Sequence, residues 1–334
     1  MIPPAVFGSV EGPVFWIGFI VLVLLLLALD LFWFHRRPHA IAPKEALKWV
    51  CFWVGLAVLF NLFVYFKLGT QSALEFATGY LVEEALSLDN VFVIVVIFRY
   101  FQVPPQYQHR TLFFGILGAI VLRGVFIITG AALLARFHWI IYVFGAFLLF
   151  TGIKLAVQEE SGVHPEHNPV LRWLRRVMPI TRDYQAQRFF VRRPEGLAAT
   201  PLFAVLVMVE AMDVVFALDS IPAIFGVTRD PFIVLTSNVF AILGLRSLFF
   251  LLAGIIDKFH YLKYGLGLVL AFIGVKMLIS WRIEIPIAVS LGIVALLLGG
   301  SIALSFLRPA LPDGLPREKR RLRRRRNTKT EPRA

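Results

Sequence analysis

The chain holds little of what disulfide-bonded, soluble or zinc-binding proteins are built from. Its single cysteine, Cys51, lies within an apolar run, so no disulfide can close inside the chain and the thiol is read as a small apolar side chain. Only 16% of the residues are charged while 58% are hydrophobic, with a mean hydropathy of +0.76, which excludes a soluble globular domain. Acidic residues are scarcer than basic ones, 21 against 34. The resulting net charge of +13 is read as membrane orientation and attraction to anionic lipid headgroups, with no nucleic-acid partner. The first apolar run has no basic segment ahead of it and no small-residue cleavage site, so it is expected to remain as a helix. The histidines, His35, His39, His109, His138, His164, His167 and His260, fall in loops or at the ends of apolar runs, where solvated or interfacial roles are expected.

Long apolar runs, by contrast, are abundant. Crossing a bilayer takes about 17–25 residues, and such runs occur at 13–34, 46–66, 73–98, 111–134, 138–157, 199–221, 232–255, 263–280 and 285–307. They predict an all-α polytopic membrane protein with nine transmembrane helices. An odd number of spans separates the termini. The basic run Arg317 to Arg326 and the loops bearing Arg36, Arg99, Arg172 to Arg193 and Lys258 belong inside, whereas Lys67, Arg136, Arg229 and Arg282 stand alone in the outer loops. The N-terminus is therefore expected outside and the C-terminus in the cytoplasm, across the cell inner or plasma membrane. The organisation is one transmembrane domain, 1–310, and a basic disordered cytoplasmic tail, 311–334. Within the domain a polar loop at about 158–197 is expected to lie along the cytoplasmic interface, amphipathic around Val170 to Met178.

Two acidic segments interrupt the apolar pattern, Val82 to Asn90 and Val209 to Ser220. Each is followed by a span with one arginine, Arg123 or Arg246, and then by a Gly-x8-Lys span ending at Lys154 or Lys276. The order acid, arginine, lysine occurs twice, so spans 3–5 (about 72–157) match spans 6–8 (about 198–281), flanked by helices at about 13–66 and 285–307. Three spans per unit force the copies into opposite orientations, an inverted repeat of the kind found in secondary transporters, with ion sites near the midplane.

An ionised carboxylate at the centre of a span costs roughly 2.5–3.5 kcal/mol, so Glu83, Glu84, Asp89, Glu210, Asp213 and Asp219 together imply about 15–20 kcal/mol unless something offsets it. At about 100° per residue, Glu83, Ser87 and Asn90 share one helix face with Glu84 beside them, and Glu210, Asp213 and Ser220 share another. Asp89 and Asp219 point away, and they join the cluster only if the helix breaks beside them. Pro222 gives a reason for such a break next to Asp219. Carboxylates with the Asn90 amide and freed carbonyls form an all-oxygen set suited to Mg²⁺, Ca²⁺ or Mn²⁺, while the absence of membrane-depth histidine speaks against softer metals. Arg123 and Arg246 are charge-balancing under either of two readings, structural ion pairs or tethered cations that take the site when the metal leaves. Two arginines cannot balance six acids. Lys154 and Lys276 are expected to snorkel, and Asp30 and Glu75 are weaker candidates for the mouths of a pathway.

The segments EEALSLDNVFVI and EAMDVVFALDSIPAIF, the N-terminal ALDLF followed by a basic turn and KEAL, and the helix GLRSLFF resemble the TerC family, in particular its Alx-like branch, over roughly 28–307. The resemblance implies an integral membrane protein associated with tellurium resistance and manganese homeostasis, exporting Mn²⁺. By similarity, Glu83, Glu84, Asp89, Asn90, Glu210, Asp213, Asp219 and Ser220 form the metal path. The expected function is a non-enzymatic secondary transporter of a hard divalent cation, with protons as the coupling ion and no tightly bound cofactor. A scaffold or stress-resistance protein without direct metal transport is the alternative. Tellurite itself, an oxyanion, would meet six carboxylates against two arginines. An intramembrane protease is disfavoured because neither the diglutamate nor the aspartates stand in a protease setting.

Overall fold

A computed structural model describes residues 12–34, 43–137, 139–157, 169–194, 196–253, 261–283 and 285–307. The tail 311–334, the first part of the polar loop, the Asp30 side chain and every histidine except His109 lie outside them. The described helices are α1 (Pro13–Phe34), α2 (Pro43–Leu68), α3 (Thr70–Tyr100), α4 (Pro105–Arg136), α5 (Ile140–Val157), α6 (Pro169–Val177), α7 (Pro201–Phe225), α8 (Pro231–Leu252), α9 (Leu262–Ile279) and α10 (Ile287–Leu307). Prolines 13, 43, 105, 169, 201 and 231 open helices. There the missing N–H costs nothing and the fixed φ suits the first turn. Asp230 caps α8, its carboxylate accepting from the Phe232 backbone at 2.9 Å.

Each predicted apolar run coincides with one long helix. Seven of the helices are long and apolar enough to cross a membrane. Of the other two, α3 carries Glu75, Glu83, Glu84 and Asp89, and α1 is apolar over Pro13–Leu29. Between α5 and α7 lies ordered structure: α6, then an antiparallel hairpin of β1 (Phe190–Arg193) and β2 (Gly196–Ala199). This segment caps one end of the bundle. Tyr184 donates its hydroxyl to the Phe101 carbonyl at 2.7 Å, Gln187 reaches the Gln106 carbonyl at 3.4 Å, and Arg110 stacks on Phe189.

The centre of the bundle is α8, buried along nearly its whole length, with α2, α3 and α4 packed around it. Helix α2 covers α3 and α8, while α10 covers α3 and α9. A cluster of rings, Phe19, Phe60, Phe76 and Phe240, joins α1, α2, α3 and α8. The closest helix pair is α5 with α9, where backbones meet through glycines in a crossed pattern. A Cβ on Gly145 would stand 3.0 Å from the Gly274 carbonyl, and one on Gly152 would stand 2.5 Å from that of Gly267. Gly267 follows Gly145 by 122 positions and Gly274 follows Gly152 by the same 122, so the two contacts exchange when the acid–arginine–lysine units are exchanged. The packing of α3 on α8 and of α4 on α7 has the same exchange property.

Candidate ion site at the crossing of α3 and α7

Helices α3 and α7 carry the acidic segments, and α4 supplies the cation between them. Arg123 is buried, 1% exposed, and forks across two carboxylates. Its Nη1 donates to Glu83 Oε1 and its Nη2 to Asp213 Oδ1 at 2.8 Å, while Nε reaches Asp213 Oδ2 at 3.3 Å. The planar guanidinium suits this task because it donates in two directions without losing its charge. Ser220 Oγ lies 3.5 Å from Nη1, and Asn90, with its amide oxygen turned inward, accepts from Nη2 at 3.2 Å. Asn238 on α8 completes the ring, donating to Glu83 Oε2 at 3.0 Å. Glu83, Asn90, Asp213 and Ser220 are thus brought together on the helix faces that their spacing predicts.

The register of this contact is exact in sequence. Asp213 follows Glu83 by 130 positions, as Asp219 follows Asp89 and Ser220 follows Asn90. Arg123 therefore bridges residues that share this 130-position spacing.

The remaining predicted ligands lie around this core without joining it. Helix α3 continues unbroken past Asp89, and α7 continues past Pro222 to Phe225, so the expected breaks are not present. In consequence Asp89 and Asp219 stay off the Arg123 cluster. They lie near enough for their charges to act on one another, and Asp219 also meets Thr151 and Lys154 on α5. Lys154, which was expected to snorkel, thus faces a carboxylate, and Lys276 interacts with Glu75. Glu84 hydrogen-bonds Tyr80 one turn earlier, and Glu210 lies against Gly118 of α4 beside Asp213. One oxygen of each, Glu84 Oε2 and Glu210 Oε2, is buried with no hydrogen-bond partner among the described residues. Buried carboxylate oxygens are costly when unpaired. A cavity of about 20 Å³, room for one water-sized occupant, is lined by Asn90, Asp213, Met212 and Leu245 among others.

Arg246 is buried on α8, 3% exposed. His109 is also buried, its ring edge-on to Phe250, where the sequence pointed to a solvated or interfacial place. Glu75 is part of a separate network at the other end of α3, accepting from Thr228 at 2.5 Å and from Gln71 at 2.8 Å. Two residues of the site escaped the sequence reading. Asn238 belongs to the polar triplet Thr236-Ser237-Asn238 in an otherwise apolar span, a signal that was available, and Gly118 is marked only by the carboxylate above it.

A bundle of long apolar helices with buried carboxylates on two facing helices defines an all-helical membrane protein. The chain belongs to the TerC family: the description "Integral membrane protein TerC family" matches residues 68–310. Among its relatives, "Putative membrane-bound redox modulator Alx" of Escherichia coli (strain K12) is 52% identical over 311 residues, covering 90% of this chain and 95% of the relative. "Uncharacterized membrane protein STKORF319" of Myxococcus xanthus is 52% identical over 302 residues, 90% of this chain and 95% of the relative. An uncharacterized membrane protein of Rickettsia bellii is 41% identical over 298 residues, 89% of this chain and 99% of the relative. No solved structure matches the chain.

Proposed function

We propose that this protein exports a hard divalent cation, Mn²⁺ in particular, through a midplane site shared by α3 and α7, with protons as the coupling ion. The observation that carries the reading is the Glu83–Arg123–Asp213 bridge beside a water-sized cavity. One guanidinium between two carboxylates leaves a net negative charge in a buried place, whereas a divalent cation between the same carboxylates neutralises it. Arg123 is then a tethered stand-in for the cargo. It holds Glu83 and Asp213 when the cation is absent and swings away when the cation arrives. Asn90, Ser220 and the unpartnered oxygens of Glu84 and Glu210 supply further hard donors, a set that favours Mn²⁺, Mg²⁺ or Ca²⁺ over soft metals. Asp89 and Asp219 form a second acidic step adjoining the first. When the cation departs, protons neutralise carboxylates that Arg123 alone cannot.

The reading includes nine spans with α3–α5 and α7–α9 as inverted copies. The 130-position register of Glu83 with Asp213 and the crossed glycine contacts of α5 and α9 support it. The redox role in the names of the Alx relatives carries to this chain only as an indirect effect, because one cysteine provides no dithiol.

A second reading keeps the Glu83–Arg123–Asp213 bridge as a permanent structural ion pair in a membrane scaffold. What favours it is that no three histidine, cysteine or acidic side chains group as a metal cage among the described residues. Mn²⁺ flux in proteoliposomes separates the two. Transport predicts flux in wild type and its loss in Asp89→Asn, Asp219→Asn and Glu83→Gln at equal folded protein. A scaffold predicts no flux from any of them, with the Glu83 variant failing at folding.

A further inference from the structure

We infer that α6 and its flanks form a lipid-reading surface that seats in the membrane interface and recognises anionic phospholipid headgroups. Helix α6, PVLRWLRRV, is fixed to the bundle on one side only: Leu171 and Leu174 are buried at 2% and 3% exposure in the core that contains α7. At about 100° per residue, Trp173 and Val177 share the flank on one side of that buried stripe, and Arg172 and Arg175 share the opposite flank, with Arg176 pointing straight away from the protein. Trp173 is 59% exposed and Val177 60%, and all three arginines are exposed.

The place of α6 makes these faces meaningful. The chain from Pro179 onward is tied to the start of α7 by the pairing of Ile180 with Ala199, by Thr181 N–H to the Ala199 carbonyl at 2.8 Å, and by Thr200 Oγ to the Arg188 carbonyl at 2.7 Å. Tyr184 ties it to the end of α3. Helix α6 is therefore held at the level where α3 ends and α7 begins, which is the level of the headgroups when those helices lie in a bilayer. A short helix with an exposed tryptophan flank and a basic flank, held at that depth, lies in the interface plane. The indole enters the acyl boundary and the guanidinium groups sit among phosphates. The exposed Phe190 and Leu197 of the hairpin, with Arg192 and Arg193, repeat the same composition on the same tethered segment. Charge complementarity names the occupant: a cationic rim around an apolar flank fits anionic phospholipid, and each engaged arginine adds about fivefold in preference.

The test uses the full chain reconstituted in vesicles and follows the tryptophan fluorescence that is lost on Trp173→Phe. That component is expected to be quenched by phosphatidylglycerol brominated on its acyl chains, more than by brominated phosphatidylcholine at the same fraction. The preference is expected to vanish in the triple variant Arg172→Gln, Arg175→Gln, Arg176→Gln. Quenching by aqueous iodide and by neither brominated lipid would overturn the inference and turn the surface over to a soluble partner. Equal quenching by both lipids, or a preference that survives in the triple variant, would overturn the recognition of anionic headgroups. The quenching of the wild-type chain carries the first part of the test without reliance on any arginine variant folding.

Discussion

Removing the guanidinium of Arg123 leaves Glu83 and Asp213 buried side by side with no cation between them, and this single position carries more of the site's energetics than any other. Breaking a buried charge cluster by deleting one partner costs about 3–5 kcal/mol. Arg123→Gln is therefore expected to lower the thermal unfolding temperature sharply, with Glu83→Gln and Asp213→Asn added to it recovering much of the loss. A triple variant no more stable than the single one would contradict the ion-pair account. Asn238→Ala removes a bond to a charged acceptor, worth about 1.5–3 kcal/mol, and is expected to destabilise by that order in the same measurement. Outside the spans, burial pushes the Tyr184 hydroxyl up to about 12. An acid with a raised folded value contributes fully below its unfolded value, near 10, and loses that contribution as pH rises toward 12. The phenolate absorbance lost on Tyr184→Phe is thus expected to titrate near pH 12, and a midpoint near 10 would mean that the loop is not seated on Phe101. At this scale the sequence made the charged members of the site legible, because carboxylates and arginines in apolar runs demand an explanation. Asn238 was marked only by the polar triplet Thr236-Ser237-Asn238, a weaker signal because an uncharged amide raises no such demand.

Helix boundaries were the most legible elements, for a plain reason: proline at the first position and long apolar runs mark them in one dimension. What spacing did not reveal was continuity. Pro222 removes one donor near the end of α7, where the last turn has few bonds left to lose, so the helix survives to Phe225 and Asp219 keeps its outward direction. The loop after α5 was legible as polar and amphipathic, but its hairpin was not, because Phe190–Arg193 and Gly196–Ala199 are too short for an alternating pattern to stand out. The α5–α9 contact rests on backbone approach, which only glycine permits there. Gly152→Val would drive a side chain into the Gly267 carbonyl, 2.5 Å from the Cβ position, and is expected to separate the pair and lower the unfolding temperature. Gly124→Ala, with nothing within 4 Å, serves as the control and is expected to be neutral or stabilising by up to about 1 kcal/mol. Equal destabilisation by both substitutions would remove the special place given to the α5–α9 seam.

Across the whole molecule, the excess of basic residues is expected to fix orientation, with the α6–hairpin cap inside and the α7–α8 turn outside. In a background with Cys51→Ala, a cysteine placed at Arg229 is expected to react with a membrane-impermeant maleimide on intact cells. One at Arg188 should react only after permeabilisation, and the reverse pattern would invert the topology. The apolar runs made the helical membrane bundle legible without any coordinates. The meeting of the two acidic segments was legible too, through the order of their charged landmarks, whereas the occupation of that meeting point by Arg123 was not. Spacing places side chains on faces but does not say which of two buried cations, arginine or metal, holds them in a given state.

That choice between cations is the centre of the account, and Mn²⁺ binding by the purified protein tests it most directly. Free Mn²⁺ is followed by its paramagnetic resonance signal as protein is added, in wild type and in the Glu83→Gln, Asp213→Asn double variant, each checked for folded content. The account predicts that wild type depletes the free-ion signal in a saturable way and that the double variant leaves it in place. Depletion by the folded double variant equal to that of wild type would contradict it.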